Sequence, residues 1–197
     1  VKIRTLELLS VLDMLCLVIL IVIQTLAAMK MSVLNKLLEQ RAYTDAHTGL
    51  PNKDACEVLL NNKETVAKHT ACIMFDLNNL KIINDTKGHS KGDQLILNFA
   101  RLLRNVIPQK DFVGRYGGDE FMAVIYNTSK TEIEDILKQL SREKDRLNSS
   151  GNNMPIDYAC GWAISDADSE CTIQMLLDKA DYYMYENKQA YKKSKKS

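Results

Sequence analysis

The sequence lacks an excess of charge: lysines and arginines nearly balance the acids, and the net charge is +1. That leaves no global electrostatic case for binding nucleic acid. No two of the five cysteines (Cys16, Cys56, Cys72, Cys160, Cys171) have Cys-x-x-Cys spacing, and their number is odd. Cys56, Cys72 and Cys160 sit in apolar surroundings and read as small core residues of a reducing compartment. There is no internal repeat and no low-complexity segment. At 46% hydrophobic and 26% charged residues, disorder is not expected. The 197 residues suffice for one ordinary domain and an appendage.

One long hydrophobic run is present. Met14 to Met29 carries no charge and one amide, Gln24. Extended to Leu8 or Leu34, it reaches the roughly 20 residues that a bilayer-spanning helix needs. It is apolar all round, which favours a membrane helix over a surface one. A buried or coiled-coil helix at a dimer seam is the other reading. Lys30, Lys36 and Arg41 follow it, as expected if everything downstream is cytoplasmic, although Lys2 and Arg4 on the other flank weaken that orientation. No small-residue cleavage site stands out after the run, so a signal peptide fits poorly. Val1 in place of an initiating Met predicts a piece of a longer protein. Met31, Leu34, Leu37 and Leu38 continue a helical spacing toward the next domain.

The composition turns polar at Thr44–Lys53, with Gly49 and Pro51 as punctuation and Asn52 as an N-cap for a helix to about Ala67. Ala71–Leu77 reads as a short buried strand ending in an acid, Asp76. Such an acid either caps the next turn or stands where α/β proteins place metal ligands. Asn78–Asp93 reads as a Gly-punctuated loop and the start of a helix. Asn84 and Asp93 there can read a purine edge, since an Asp accepts from the N1–H and exocyclic amine of guanine, and Lys81 can neutralise phosphate. A capped loop with solvated polar residues is the plain alternative. A helix from about Gly92 to Val106 repeats Leu95, Ile96, Phe99, Leu102 and Leu103, and Pro108 stops it.

Arg115-Tyr-Gly-Gly-Asp-Glu-Phe121 lies between two β-like runs and reads as a tight hairpin. Gly117 and Gly118 accept positive φ and let a phosphate approach the backbone. Asp119 and Glu120 repel each other, and a divalent cation would reward the pair. The alternative is a solvated acidic turn. Thr131–Leu147 is predicted as an amphipathic helix with a Thr131/Glu134 capping box. Asn148–Asn153 is a surface turn, and Ile156–Ile164 a strand in which Trp162 packs rather than stacks on a ligand. Thr172 to about Lys188 is a helix, and Lys192–Ser197 a basic tail, either solvated or weakly attracted to anionic lipid. This β-α-β-β-α-β order predicts an α+β, ferredoxin-like antiparallel sheet flanked by helices, with the long apolar helix in front. In that topology Asp76 and Asp119 become neighbours able to share a cation.

Five spaced motifs resemble the GGDEF domain of bacterial diguanylate cyclases. They are Asp45-x-x-Thr48-Gly-Leu-Pro-Asn52, Phe75-Asp76-Leu77 with Lys81 and Asn84-Asp85, Gly88-His89-x-x-Gly92-Asp93, the Arg115–Phe121 signature, and Ala180-Asp181-x-x-Met184-Tyr185-x-x-Lys188. The resemblance covers residues 43–192, leaving 1–42 as membrane or signalling helix and linker and 193–197 as the tail. It implies condensation of two GTP into cyclic di-GMP and two pyrophosphates in a homodimer, with two Mg²⁺ (or Mn²⁺) ions per site. It implies metal ligation by Asp76, the Leu77 carbonyl and Asp119. It implies catalysis by Asp119 as base, with Glu120 in support and Lys81 stabilising charge. Substrate contacts would come from Asn84, His89, Asp93, Gly117, Gly118, Lys188 and Lys192. An upstream sensor outside this sequence and placement at the inner (cytoplasmic) membrane, with the domain in the cytoplasm, are further implications. A non-catalytic GTP-sensing or scaffold module, and a cyclase of different base choice, are the competing readings. The sequence departs from the family at Asn78 (usually Asp), Leu80 (usually Phe), His47 (usually Leu) and Tyr191-Lys192 (usually Gly-Arg). The Arg of the family's Arg-x-x-Asp product-inhibition site is absent from Pro108-Gln109-Lys110-Asp111, which predicts no feedback through that site.

Overall fold

The computed structural model describes residues 2–62, 65–66, 69–150, 154–165 and 171–194, with side chains only within 12–190. The expected helix end at Ala67, the turn residues 151–153 and the tail from Lys195 lie outside the described residues, as does the side chain of Lys192. The chain divides into two compact units, 1–42 and 43–197.

The first unit is a single helix, α1 (Lys2–Tyr43). Its 42 residues would extend about 63 Å at 1.5 Å each. From Leu12 on, its mean hydropathy reaches 2.4, and this stretch is long and apolar enough to cross a membrane. Its large apolar side chains from Leu12 to Leu38 are exposed.

The second unit runs α2 (Lys53–Leu60), β1 (Ala71–Leu77), α3 (Leu80–Lys87), α4 (His89–Val106), β2 (Phe112–Arg115), β3 (Glu120–Ile125), α5 (Lys130–Ser149), β4 (Tyr158–Ile164) and α6 (Ile173–Ser194). The strands form one sheet in the order β2-β3-β1-β4, every neighbour antiparallel. This is the expected ferredoxin-like arrangement, with β1 and β3 at its centre.

Alternation along the strands sorts the core into two layers. Ile73, Phe75 and Leu77 of β1 and Phe121, Ala123 and Ile125 of β3 face α4 and α5. Phe99 of α4 sits in that layer with ring centroids 6.1 Å from Phe75 and 5.1 Å from Phe121, both edge-on. Cys72 and Met74 of β1 and Met122 and Val124 of β3 face α2 and α6 on the other side. Asp76 and Glu120 share this second parity, so both aim toward the α6 side of the sheet. Trp162 is half-buried against the α4/α5 layer, a packing role as expected. All five cysteines are free, and burial pushes the Cys56 and Cys72 thiols up to about 12 and the Cys160 thiol to about 11.

Several boundaries differ from the sequence reading. The segment after β1, read as a Gly-punctuated loop and the start of a helix, is helical over Leu80–Lys87 as α3, and α4 begins at His89 rather than Gly92. Gly88, at φ +84, makes the turn between them. The α5 capping box is Ser129/Glu132, not Thr131/Glu134. Two overlapping Ser/Thr-x-x-Glu patterns compete here. The earlier one wins because Asn127 (φ +50) and the Thr128 N–H bonded to the His69 carbonyl end the preceding segment just before Ser129. Helix α2 stops at Leu60, and its N-cap is Asn52, whose side chain accepts from the Ala55 N–H as expected. Ile107 is extended (ψ 131), as the residue before a proline tends to be, and α4 ends there.

Gly161 is where α6 comes closest to the sheet. A Cβ there would collide with the backbone of Met184 and Ala180, which cannot rotate away. Gly161→Ala is therefore expected to lower unfolding free energy by about 1–3 kcal/mol in chemical denaturation. Gly118→Ala, facing open space, should stay within about 0.5 kcal/mol. Equal stability of Gly161→Ala and the parent chain would contradict this seating of α6.

Candidate active site

The site grows from the register of the two central strands. Asp76 lies opposite Glu120. One residue further on, the Leu77 N–H donates to the Asp119 carbonyl at 2.9 Å. The Tyr116 and Gly117 N–H groups both donate to the Glu120 carbonyl, at 2.9 and 3.1 Å, and close residues 116–119 into a four-residue loop. The hairpin expected to be tight thus closes through a wider loop, and neither Gly117 nor Gly118 takes positive φ. The glycines serve space instead. A Cβ on Gly117 would press on the Glu120 side chain, and one on Gly118 would meet nothing within 4 Å. Gly118 leaves its backbone open to approach.

Charge is concentrated on the α6 side of this loop. Asp76 is only 7% exposed. Its Oδ2 receives the Lys188 Nζ of α6 at 2.6 Å, and its Oδ1 is buried with no hydrogen-bond partner among the described residues. Burial raises the Glu120 carboxyl above its ordinary 4.5, and the negative charges of Asp119, Asp76 and Asp181 push the same way, with Lys188 opposing them. These groups therefore feel one another, although no three acids, histidines or cysteines among the described residues are close enough to hold a metal ion unaided. The donors available to a cation are all oxygens: Asp76, Asp119, Glu120 and the Leu77 carbonyl.

The signature loop is clasped from behind by the segment that opens the domain. Arg115 donates from one guanidinium nitrogen to both Asp45 carboxylate oxygens (3.3 and 3.2 Å) and from the other to the Gly118 carbonyl (2.8 Å). The Arg115 N–H also donates to the Pro51 carbonyl. Burial pushes the Asp45 carboxyl up, but hydrogen bonds from the Thr48 hydroxyl and amide, together with Arg115, outweigh it and leave the carboxyl below its ordinary value. Asp45, Asn52, Arg115 and Gly117–Gly118 line a pocket of about 360 Å³. A larger cavity of about 480 Å³ beside β4 contains none of the acids named above. Sequence reading picked out both ends of the Asp45–Arg115 link but not the link. An isolated acid and an isolated cation in two separate motifs were its signal.

The remaining predicted residues lie on α3 and α4. Lys81, His89 and Asp93 are exposed, and Asn84 is half-buried. His47, one of the departures, bonds through Nε2 to the Asp93 carbonyl at 2.9 Å. Asn78 donates through its backbone to the Asp157 carbonyl (2.8 Å) and through its amide to the Asp157 carboxylate (3.4 Å), where a carboxylate at 78 would be repelled. The structure thus brings Asp76, Asp119, Glu120 and Lys188 together around one strand end. Asn84, His89 and Asp93 form a second group on α3 and α4.

Residues 42–194 match the family described as diguanylate cyclase, GGDEF domain. The signaling protein YkoW of Bacillus subtilis is 31% identical over 164 residues, 80% of this chain and 20% of that protein. The diguanylate cyclase DgcP of Escherichia coli is 29% identical over 165 residues, 81% of this chain and 48% of that protein. Other relatives are named cyclic di-GMP phosphodiesterases. The chain therefore spans half or less of the length of these curated relatives. Among solved structures, the coiled coil and GGDEF domain of DgcB from Caulobacter crescentus shares the fold at a TM-score of 0.73 and 22% identity, over 85% of this chain and 91% of that one. With an intact signature loop on the expected sheet, and a family match across nearly the whole second unit, this chain belongs to the diguanylate cyclase GGDEF-domain family.

Proposed function

We propose that this chain is an active diguanylate cyclase, condensing two GTP into cyclic di-GMP and two pyrophosphates across a homodimer. The observation that carries the reading is the Asp76–Glu120 register, with Asp119 tied to Leu77 at the same strand end. The donor set fits Mg²⁺ or Mn²⁺. It is all oxygen, Asp76 Oδ1 is buried without a partner among the described residues, and the Lys188 ammonium already places one positive charge against Oδ2. Asp76, the Leu77 carbonyl and Asp119 would hold the ions, with phosphate oxygens and water completing the shell. When bound, the metal supplies charge stabilisation at the α-phosphate and a lower pKa for the attacking 3′-hydroxyl.

The chain's own groups divide the remaining tasks. Gly117 and Gly118 leave the loop backbone open to the triphosphate. Asp119 is the candidate acceptor for the 3′-hydroxyl proton. Glu120, whose carboxyl burial raises above its ordinary value, supports it. The 3′-oxygen forms a bond to the partner's α-phosphorus as the bond to pyrophosphate breaks. Lys81 offsets the charge that develops, and Lys188 moves from Asp76 to the terminal phosphates, joined by Lys192. Asn84 and Asp93 meet the guanine edge, with His89 nearby. Helix α1 anchors the chain in the inner (cytoplasmic) membrane, with the catalytic domain in the cytoplasm and a sensor upstream. A GTP-binding module without turnover is the second reading, favoured by the departures at Leu80 and Lys192. The undamaged Gly117–Glu120 loop favours catalysis.

Asp119→Ala should abolish pyrophosphate release from GTP and Mg²⁺ while leaving the circular dichroism unchanged. Normal turnover would remove the metal-site reading. Glu120 tests the electrostatics separately. Its raised carboxyl holds a proton more tightly in the folded chain than in the unfolded one. The associated stability is complete below the ordinary 4.5 and is lost as pH rises through the folded value. Without divalent ions, Glu120→Gln should therefore melt slightly above the parent at neutral pH, and the excess should vanish toward the acid side of 4.5. A constant offset at every pH would contradict this origin. Asp111, the surviving member of the product-inhibition pattern, spends Oδ1 on the Tyr126 N–H (3.0 Å). With Pro108 where that pattern has its Arg, steady-state rates should be insensitive to added cyclic di-GMP, and submicromolar inhibition with ligand at Asp111 would refute that.

A further inference from the structure

The α3–α4 corner brings two kinds of residue into contact. Gly92 is buried in α4, against the face of α3 that carries Leu80 and Asn84. A Cβ on Gly92 would fall onto the Asn84 Oδ1, with Asn84 Cγ at 2.9 Å and Leu80 Cδ1 at 3.1 Å. The Asn84 carboxamide therefore fills the space that any side chain at 92 would need. The Asn84 backbone is fixed at the same corner, because its carbonyl accepts the Gly88 N–H at 3.0 Å. The neighbouring Asp93 is held from outside by His47.

We infer that Gly92 is a positioning residue for base selection: the side chain it lacks sets the direction of the Asn84 carboxamide. The inference rests on the proposal that Asn84 and Asp93 read guanine. Its physical core is a contrast with Gly161. At Gly161 an added methyl meets backbone, and the fold bears the cost. At Gly92 it meets the far end of a flexible side chain, which can turn aside by a χ rotation. The fold then survives and the carboxamide points elsewhere. A hydrogen bond to the exocyclic amine of guanine, made by Asn84 Oδ1, would be lost without any change in a residue that touches the nucleotide.

The test uses the full chain in detergent micelles, with Asn84→Ala, Gly92→Ala and the double variant. Binding of GTP and of inosine triphosphate, which lacks the exocyclic amine, is measured by calorimetry with Ca²⁺ present, alongside melting temperature. Asn84→Ala should weaken GTP binding about tenfold and bring the GTP-to-ITP affinity ratio toward one. Gly92→Ala should reproduce both changes with little loss of melting temperature. The double variant should be no worse than Asn84→Ala, because the glycine acts through the amide. If Gly92→Ala keeps the parent ratio while Asn84→Ala loses it, the inference fails and the guanine reading stands. Additive losses in the double variant overturn it too, as does a Gly92→Ala chain that does not fold. If Asn84→Ala itself leaves the ratio unchanged, the guanine reading fails and the inference falls with it.

Discussion

Two carboxylates at the ends of neighbouring central strands repel each other, and α6 is the element that meets that strand end with a positive charge. Asp76 and Glu120 occupy opposite positions in the β1–β3 register, on the same side of the sheet. Neither can turn away without breaking the alternation that buries Met74 and Met122 behind them. A cation from outside the sheet meets one of the two acids. Lys188 reaches Asp76 from α6, and the Glu120 carboxyl is raised above its ordinary value by burial first and by the neighbouring acids after it. The close seating of α6 at Gly161 keeps that lysine's helix against the strands.

The signature loop is held by a second, separate device. The strands fix its two ends, while Arg115 ties its tip to Asp45 and to Gly118. Charge gathers on the α6 side of the loop, while the clasp residues Asp45 and Arg115 line a pocket with Gly117 and Gly118.

Much of the fold was legible in the sequence, for reasons that differ by element. The strand Ala71–Leu77 is continuously apolar, and the Leu95–Leu103 face repeats at helical spacing, so both stood out. The strand order followed from the element order and brought Asp76 beside the signature. The extent of helix α3 was hidden because Asn78–Gly88 is largely polar and punctuated like a loop. Its helicity is confirmed by packing against α4 rather than declared by periodicity. The α5 cap was misplaced because two capping patterns overlap and only the preceding turn chooses between them. At the site, the acids were visible as unusual residue types. The Asp45–Arg115 clasp and the His47–Asp93 bond were not, because they join positions 70 and 46 residues apart. No local pattern reports such a pairing.

The thiols have a practical consequence. Cys56 and Cys72 are buried and resist ionisation, and the Cys160 thiol is held high as well. Cys171 is buried too, whereas Cys16 on α1 is exposed. A water-soluble maleimide applied to the native chain should thus spare the second unit, and Cys16, within the apolar run proposed to lie in the bilayer, should yield only to a membrane-permeant reagent, which makes that single thiol a reporter of whether α1 is embedded.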